Sequence, residues 1–303
     1  MSFYDAIRVG ASGATDFEIK RSLRFEYLDS SQLKRTGSST SSSYTISMWF
    51  KYTGVQRNEL NLLFSLGQQN DANSAFMGID NNDRFVIYSN GSYQFTSTRV
   101  YRDPSAWYHF LLSVNSNSYN FYINNESIDT GTIRSLDTSS DGLRIGIQYG
   151  NYYPFSGYIA DFYLIDGSAL TPSSFTETNS ETGQLNPIEY SGSFGTSGAH
   201  LLFDDNSGTT ATTLGKDSSG NGNNFTPSGF SVSAGVDNDS VTDTPTNNFS
   251  TLNQIYLTET GRGVLNGNLD YKSDSNYSIA AGNFSLKTGK WYWEVTITAA
   301  MSG

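Results

Sequence analysis

The chain has 303 residues, 18 Lys and Arg against 29 Asp and Glu, a formal net charge of −11, and no cysteine. Only 16% of residues are charged while 14% are aromatic, which is not a disordered composition, and the length suffices for two cores. The acidic balance excludes phosphate-led binding of nucleic acid, and the missing thiols exclude disulfides, thiolate metal sites and cysteine nucleophiles.

Residues 1–20 read as a lead segment with a flexible Gly10–Ala14 loop and no basic start or apolar run of a secretory signal. No apolar run reaches membrane-spanning length, so a soluble protein made in a cytoplasm is expected, with no membrane insertion. Ser22-Leu-Arg-Phe25 and Gln32-Leu-Lys-Arg-Thr36 are short opening strands. In Tyr44–Tyr52, the residues Tyr44, Ile46, Met48, Phe50 and Tyr52 share one face while Thr45, Ser47, Trp49 and Lys51 share the other. That is the period of a half-buried strand. Further strands are expected at Leu62–Leu66, Phe76–Ile79, Phe85–Tyr88 and Trp107–Val114. Tyr119–Ile123 and Ser127-Ile128 flank Asn124-Asn125, a pair that tolerates the positive φ of a two-residue hairpin turn. Leu143–Gln148 alternates, and Tyr158–Ile165 is apolar on both faces, as a central strand would be. Thr171-Pro172 can open a single helical turn. Many short strands between Gly, Asn and Ser turns predict an all-β antiparallel sandwich or jelly roll over residues 21–177.

From 178 to 250 the chain turns to Gly, Asn, Ser and Thr, as in Asp217–Asn224 and Asp237–Asn248, with Phe203, Phe225, Phe230 and Phe249 as apolar anchors. This reads as an irregular connector. A second alternating block, including Trp291-Tyr-Trp-Glu-Val-Thr-Ile297, follows within 251–303 and reads as the start of an incomplete second β-sandwich.

The series Ser22–Phe25, Thr45–Phe50, Trp107-Tyr-His109 and Gly157–Phe162 resembles the laminin-G-like, concanavalin A-like jelly roll. Gly289-Lys-Trp-Tyr-Trp-Glu-Val295 resembles the opening of a SPRY-type sandwich. With the lead Phe3–Gly13 and the connector motifs Asp217–Pro227 and Asp239–Phe249, the order of modules looks like tail-fibre proteins of marine phages, cyanophages in particular. The resemblance implies a non-enzymatic virion protein on the phage tail or particle surface. Its N-terminus (Phe3, Tyr4, Ile7, Arg8) would dock to other tail or capsid proteins. It would assemble as a homo-oligomer, a trimer by family likeness, and meet a host-surface glycan or lipopolysaccharide.

Three kinds of site are open to the residues. For glycans, Tyr149, Tyr152 and Tyr153 crowd one loop, and Tyr offers rigid amphipathic area for a sugar ring; packing of the loop on the sandwich or on a neighbouring subunit would use the same residues. For calcium, Asp80 and Asp83 supply hard oxygens in Asp80-Asn-Asn-Asp83, as does the Asp137–Asp141 loop, although a plain turn selects the same residues. For catalysis, a glycosidase needs two carboxylates at a set separation. Glu126, Asp129, Asp161 and Asp166 form no such array, and Asp161 and Asp166 should sit on opposite faces of their strand. His109 reads as a packed core imidazole, with His200 far from it in sequence. No enzyme activity is expected. A free carbohydrate-binding or adhesion module of a bacterial surface or secreted protein is the alternative, and a laminarinase-type glycoside hydrolase the third.

Overall fold

The computed structural model describes residues 17–37, 40–54, 59–67, 74–137, 142–235, 237–253, 263–272, 280–285 and 287–297. Phe3, Tyr4, Ile7 and Arg8 lie outside these. Two antiparallel sheets stack face to face. Across the first, the strands run Glu126–Thr132, Ser118–Ile123, Trp107–Asn115, Tyr44–Tyr52, Gly157–Asp166, Ser22–Phe25 and Ser240–Val241, with Ala199–Leu201 added beside Gly157–Asp166. Across the second they run Thr226–Ser228, Gln32–Arg35, Leu143–Ile145, Asn61–Leu66, Ala75–Ile79, Arg84–Ser89 and Ser92–Val100. The expected alternation is what fills the gap: Ile46, Met48 and Phe50 from the first sheet meet Phe64, Met77, Phe85 and Ile87 from the second, all inaccessible to solvent. The Phe85 ring lies 4.9 Å from Phe121 and 5.7 Å from Phe110. Each such side chain contributes about 1.5–3 kcal/mol by leaving water.

The expected turns form as read. Asn124 and Asn125 take φ of 51° and 66°. Pro172–Ser174 is one 3-10 turn with Thr171 at its cap position. Gly146 ends the strand Leu143–Ile145 with φ of 85°, and a Cβ there would meet the Phe25 ring at 2.4 Å. The longest strand that the sequence reading missed is Ser92–Val100, a mostly exposed edge strand whose single buried residue is Ser97.

Two features depart from expectation. Tyr44–Tyr52 is buried on both faces rather than one, Lys51 included. Phe17 and Ile19 cover Trp49, Ser168 and Leu170 cover Thr45, and Lys51 is covered by the segment 178–250, which does not lead away from the sandwich but lies on it. Ala199–Leu201 pairs with Phe162–Leu164, Thr226–Ser228 with Gln32–Lys34, and Ser240–Val241 with Ser22–Leu23. Phe203, Leu214 and Phe225 enter the main core. The polar motif at 217–224 folds around one carboxylate. Asp217 accepts from His200 N, Ser219 N, Ser219 Oγ and Asn223 N at 2.8–2.9 Å, and Asn223 Nδ2 donates to the Thr196 and Gly198 carbonyls. A turn-rich composition here supplies side-chain acceptors for backbone N–H groups, which is why it packs instead of dangling.

Among the described residues beyond 250, two short strand pairs form. Leu252–Asn253 pairs with Ala281–Gly282 and Val264–Leu265 with Asp270–Tyr271. No strand is assigned over 287–297, where Trp291, Tyr292, Trp293, Val295 and Ile297 are 62–83% exposed. That stretch has the alternation of a strand, and among the described residues no strand pairs with it.

Candidate functional site

The outer face of the second sheet carries aromatic side chains in register. Leu143 and Ile145 point into the core, so Arg144 between them points out, and the same parity holds on each neighbour. The pairing aligns Lys34, Arg144, Ser65, Phe76, Tyr88 and Tyr93 in one row across six strands. Phe76 and Tyr88 stack with ring centres 4.6 Å apart and planes 1° from parallel. Tyr93 stands edge-on to both, 6.2 Å and 5.4 Å away, and is 54% exposed.

The loop that holds Tyr149, Tyr152 and Tyr153 closes onto this row. A bridge between Gln148 and Tyr152 tightens it, Asn151 and Tyr153 adopt φ of 62° and 56°, and Leu62 N donates to the Tyr153 carbonyl at 3.2 Å. Tyr152 and Tyr153 lie 6.2 Å apart, and the Tyr149 ring covers the Arg144 guanidinium at 4.9 Å. Burial pushes the Tyr93 phenol above its ordinary range, with further upward contributions from Tyr153, Asp80 and Tyr88, which puts all four groups in one neighbourhood. The loop tyrosines named from sequence thus join Phe76, Tyr88 and Tyr93, which sequence reasoning missed. A period-2 comparison of Phe76 with Tyr88 could have found the first two; Tyr93 lies on the strand that went unread. Tyr149 and Tyr152 are 39% and 49% exposed, so the strip offers open aromatic faces flanked by phenol hydroxyls and by the half-buried Lys34, with Arg144 buried beneath the Tyr149 ring.

Asp80 and Asp83 come together in a hairpin turn. Asp80 accepts from Asn82 N and Arg84 N at 2.9 and 2.8 Å, and from Arg84 Nε and Nη2 at 2.9 and 2.7 Å. Burial raises its carboxyl, but the Arg84 side chain and these N–H groups outweigh it and hold the group below the ordinary range. Asp83 takes the positive φ of 61° that the turn needs. Both Asp80 oxygens therefore accept hydrogen bonds from within the turn, Oδ1 from the Asn82 and Arg84 N–H groups and Oδ2 from the Arg84 guanidinium. Among the described residues no three His, Asp or Glu side chains gather as a metal site.

The four weighed carboxylates each have a different partner. Glu126 pairs with Arg99 at 2.7 Å, Asp129 with the Tyr119 hydroxyl, Asp166 with Ser197 N, and Asp161 with His200. The last contact was not foreseen. A bulge between Ala160 and Tyr163 holds Asp161 at φ of 51° and sends its Oδ1 to His200 Nε2 at 2.7 Å, while the imidazole stacks on Tyr163 at 4.0 Å. The pair is buried, and it fastens Ala199–Leu201 to the central strand. His109 is fully buried as expected, with Nε2 on Ser47 Oγ at 2.9 Å and its ring 5.2 Å from Trp49.

Residues 27–174 match the family model of the concanavalin A-like lectin/glucanases superfamily. The fold is accordingly the concanavalin A-like, laminin-G-type jelly-roll sandwich. Among solved structures the chain is similar to a protein from Bacteroides ovatus described as carbohydrate-binding, with 19% identity over 51% of this chain and 45% of that one, at a TM-score of 0.40. It is similar to the heptameric SAP-like pentraxin of Limulus polyphemus, with 15% identity over 51% and 80% and a TM-score of 0.39. It is also similar to the CBM40 of the Ruminococcus gnavus IT-sialidase, solved with α2,3-sialyllactose, with 16% identity over 52% and 91% and a TM-score of 0.37. The chain spans 45% of the first of these relatives. No protein of curated function matches the sequence.

Proposed function

We propose that this sandwich is a non-catalytic glycan-binding module. The observation that carries the reading is the aromatic strip of Tyr93, Tyr152 and Tyr149 lying open on a rigid sheet, with hydroxyl and cationic groups beside it. Flat apolar faces receive the C–H faces of pyranose rings, and the neighbouring polar groups orient the sugar hydroxyls. The separate engagement of Glu126, Asp129, Asp161 and Asp166 supports binding without turnover. Binding to purified host lipopolysaccharide and to a glycan array tests the reading. Tyr93→Ala and Tyr152→Ala are each expected to weaken binding about tenfold, ~1.4 kcal/mol, with the fold intact. Leu28→Ala, at an exposed position on another loop, leaves it unchanged. Binding that both tyrosine variants retain in full removes the site from this face, and product release from β-glucans would make the module a hydrolase.

The module order supports a setting for it: a phage tail or surface fibre, docked through residues 1–20 and assembled as a trimer, with residues 251–303 as the opening of a SPRY-like sandwich. Immunogold labelling of intact particles is expected to mark the tail or surface, and deleting residues 1–20 to yield particles without the fibre. A chain that scatters light as a monomer at micromolar concentration counts against the trimer. Unchanged particles after the deletion favour a free binding module instead.

A further inference from the structure

Lys51 is the one lysine among the described residues with no solvent exposure. It projects from the outer face of the first sheet into a covering formed by residues 243–249. Its Nζ lies 2.9 Å from Asp243 Oδ2, 2.9 Å from Asn248 Oδ1 and 2.9 Å from the Phe249 carbonyl. The Tyr158 ring lies below it, 5.8 Å to the centroid, with Trp107 beside that ring. Both partners come from one turn. Thr244 and Asn247 bridge to each other, so Asp243 enters and Asn248 leaves at the same end. The polar motif Asp239–Phe249 therefore delivers a carboxylate and a carboxamide to a single buried amine.

We propose that Lys51 and Asn248 form an intramolecular amide bond, with Asp243 moving the protons, so that the chain staples its own outer layer to the central strand of the sandwich.

The parts required are a nucleophile, an electrophile and a proton carrier held together, and here the amine and the carboxylate are buried while the carboxamide reaches them from the surface. Burial lowers the Lys51 ammonium from its ordinary value, against the opposing effect of Asp243, which favours release of a proton to that carboxylate. Asp243 is oriented for this. Its Oδ1 accepts from Trp107 Nε1 at 3.2 Å and Phe249 N at 3.3 Å, leaving Oδ2 on the amine. The Asn248 carboxamide is fixed at both ends, its oxygen on Lys51 and its Nδ2 on the Ser105 carbonyl at 2.8 Å.

The step balances without any added reactant. Lys51 passes one proton to Asp243, and the free amine attacks Cγ of Asn248, forming the new C–N bond and a tetrahedral centre. The protonated Asp243 then gives its proton to the departing amide nitrogen. The C–Nδ2 bond breaks, ammonia leaves, and the second proton lost by the Lys51 nitrogen follows it as ammonium. Asp243 ends as the carboxylate it began as. Asn248 is exposed, so the ammonia has a way out.

Intact-mass spectrometry of the folded full chain tests this. The expected mass is lower than the sequence demands by one ammonia molecule, and proteolysis yields a branched peptide joining Lys51 to Asn248. Asn248→Ala, at an exposed position, is expected to fold and to show the full mass of its own sequence. Asp243→Asn is expected to slow the reaction. A wild-type chain that keeps its full mass through days of incubation in the folded state overturns the proposal, as does a lysine bonded to Asp243 with loss of water. The wild-type reading does not depend on whether any variant folds.

Discussion

Asp239→Ala is expected to destabilise the fold by about 3–5 kcal/mol, read as a lowered urea midpoint. Asp239 lies in the segment that composition marks as a connector, yet its carboxylate meets Arg24, a residue 1% exposed in the opening strand of the first sheet. Arg24 Nε and Nη2 lie 3.0 and 2.9 Å from Asp239 Oδ1, Ser231 N donates to Oδ2 at 2.7 Å, and Arg24 N donates to the Asp239 carbonyl at 2.8 Å. Burial raises the Asp239 carboxyl and wins over Ser231 and Arg24, which lower it. The ion pair is therefore costly to bury, and its worth shows when it is broken: alanine leaves a guanidinium in the interior without its carboxylate. The double variant Arg24→Met with Asp239→Leu is expected to recover most of the loss, since an apolar pair of similar volume removes both desolvation costs. A loss below about 1 kcal/mol for Asp239→Ala would mean that residues 231–241 do not sit on the sheet in solution.

This pair also marks where the sequence stopped being legible. The strands of the sandwich were readable because alternation reports directly on which side chains leave water, as at Ile46, Met48 and Phe50. Alternation cannot report what covers the other face. Lys51 reads as a solvent-facing residue, and only the chain returning some two hundred residues later buries it. Tyr93 escaped for a related reason. Its strand, Ser-Tyr-Gln-Phe-Thr-Ser-Thr-Arg-Val, is a mostly polar edge strand, so this member of the aromatic strip was invisible while the loop tyrosines were not. The contact of Asp161 with His200 depends on a bulge that inserts one extra residue into the central strand, and period-2 counting assumes no such insertion. The family match over 27–174 shares this blind spot, since Ser22–Phe25 and the strands at 199–241 lie outside it and inside the same two sheets.

The second large effect is the contribution of His109 to the loss of stability in acid. Burial pushes its imidazole down to about 3 from 6.5, with no charged neighbour opposing. Nε2 meets Ser47 Oγ, and Nδ1 is buried without a hydrogen-bond partner among the described residues. A proton on Nδ1 would be an unmet donor as well as a buried charge, so the neutral ring with its proton on Nε2 is the form the core accepts. The sign follows. The unfolded chain takes up a proton near pH 6.5 while the folded chain does not until about pH 3, so the unfolded state binds more protons between those values. Stability is full above pH 6.5 and falls as pH drops, by about 1.4 kcal/mol per unit, reaching about 4 kcal/mol by pH 3. His109→Gln keeps a donor for Ser47 and does not titrate. Asp80, with its carboxyl lowered, and Glu26 and Asp239, with theirs raised, are common to both proteins and cancel in the comparison. Urea titrations of the two chains from pH 8 to pH 4 are therefore expected to diverge progressively below pH 6.5, with the glutamine variant losing less. Parallel curves would mean that His109 takes its proton in the folded state as readily as in the unfolded one, and that water reaches the strand pair Tyr44–Tyr52 and Trp107–Asn115 where the packing of Trp49 and Ser47 should exclude it.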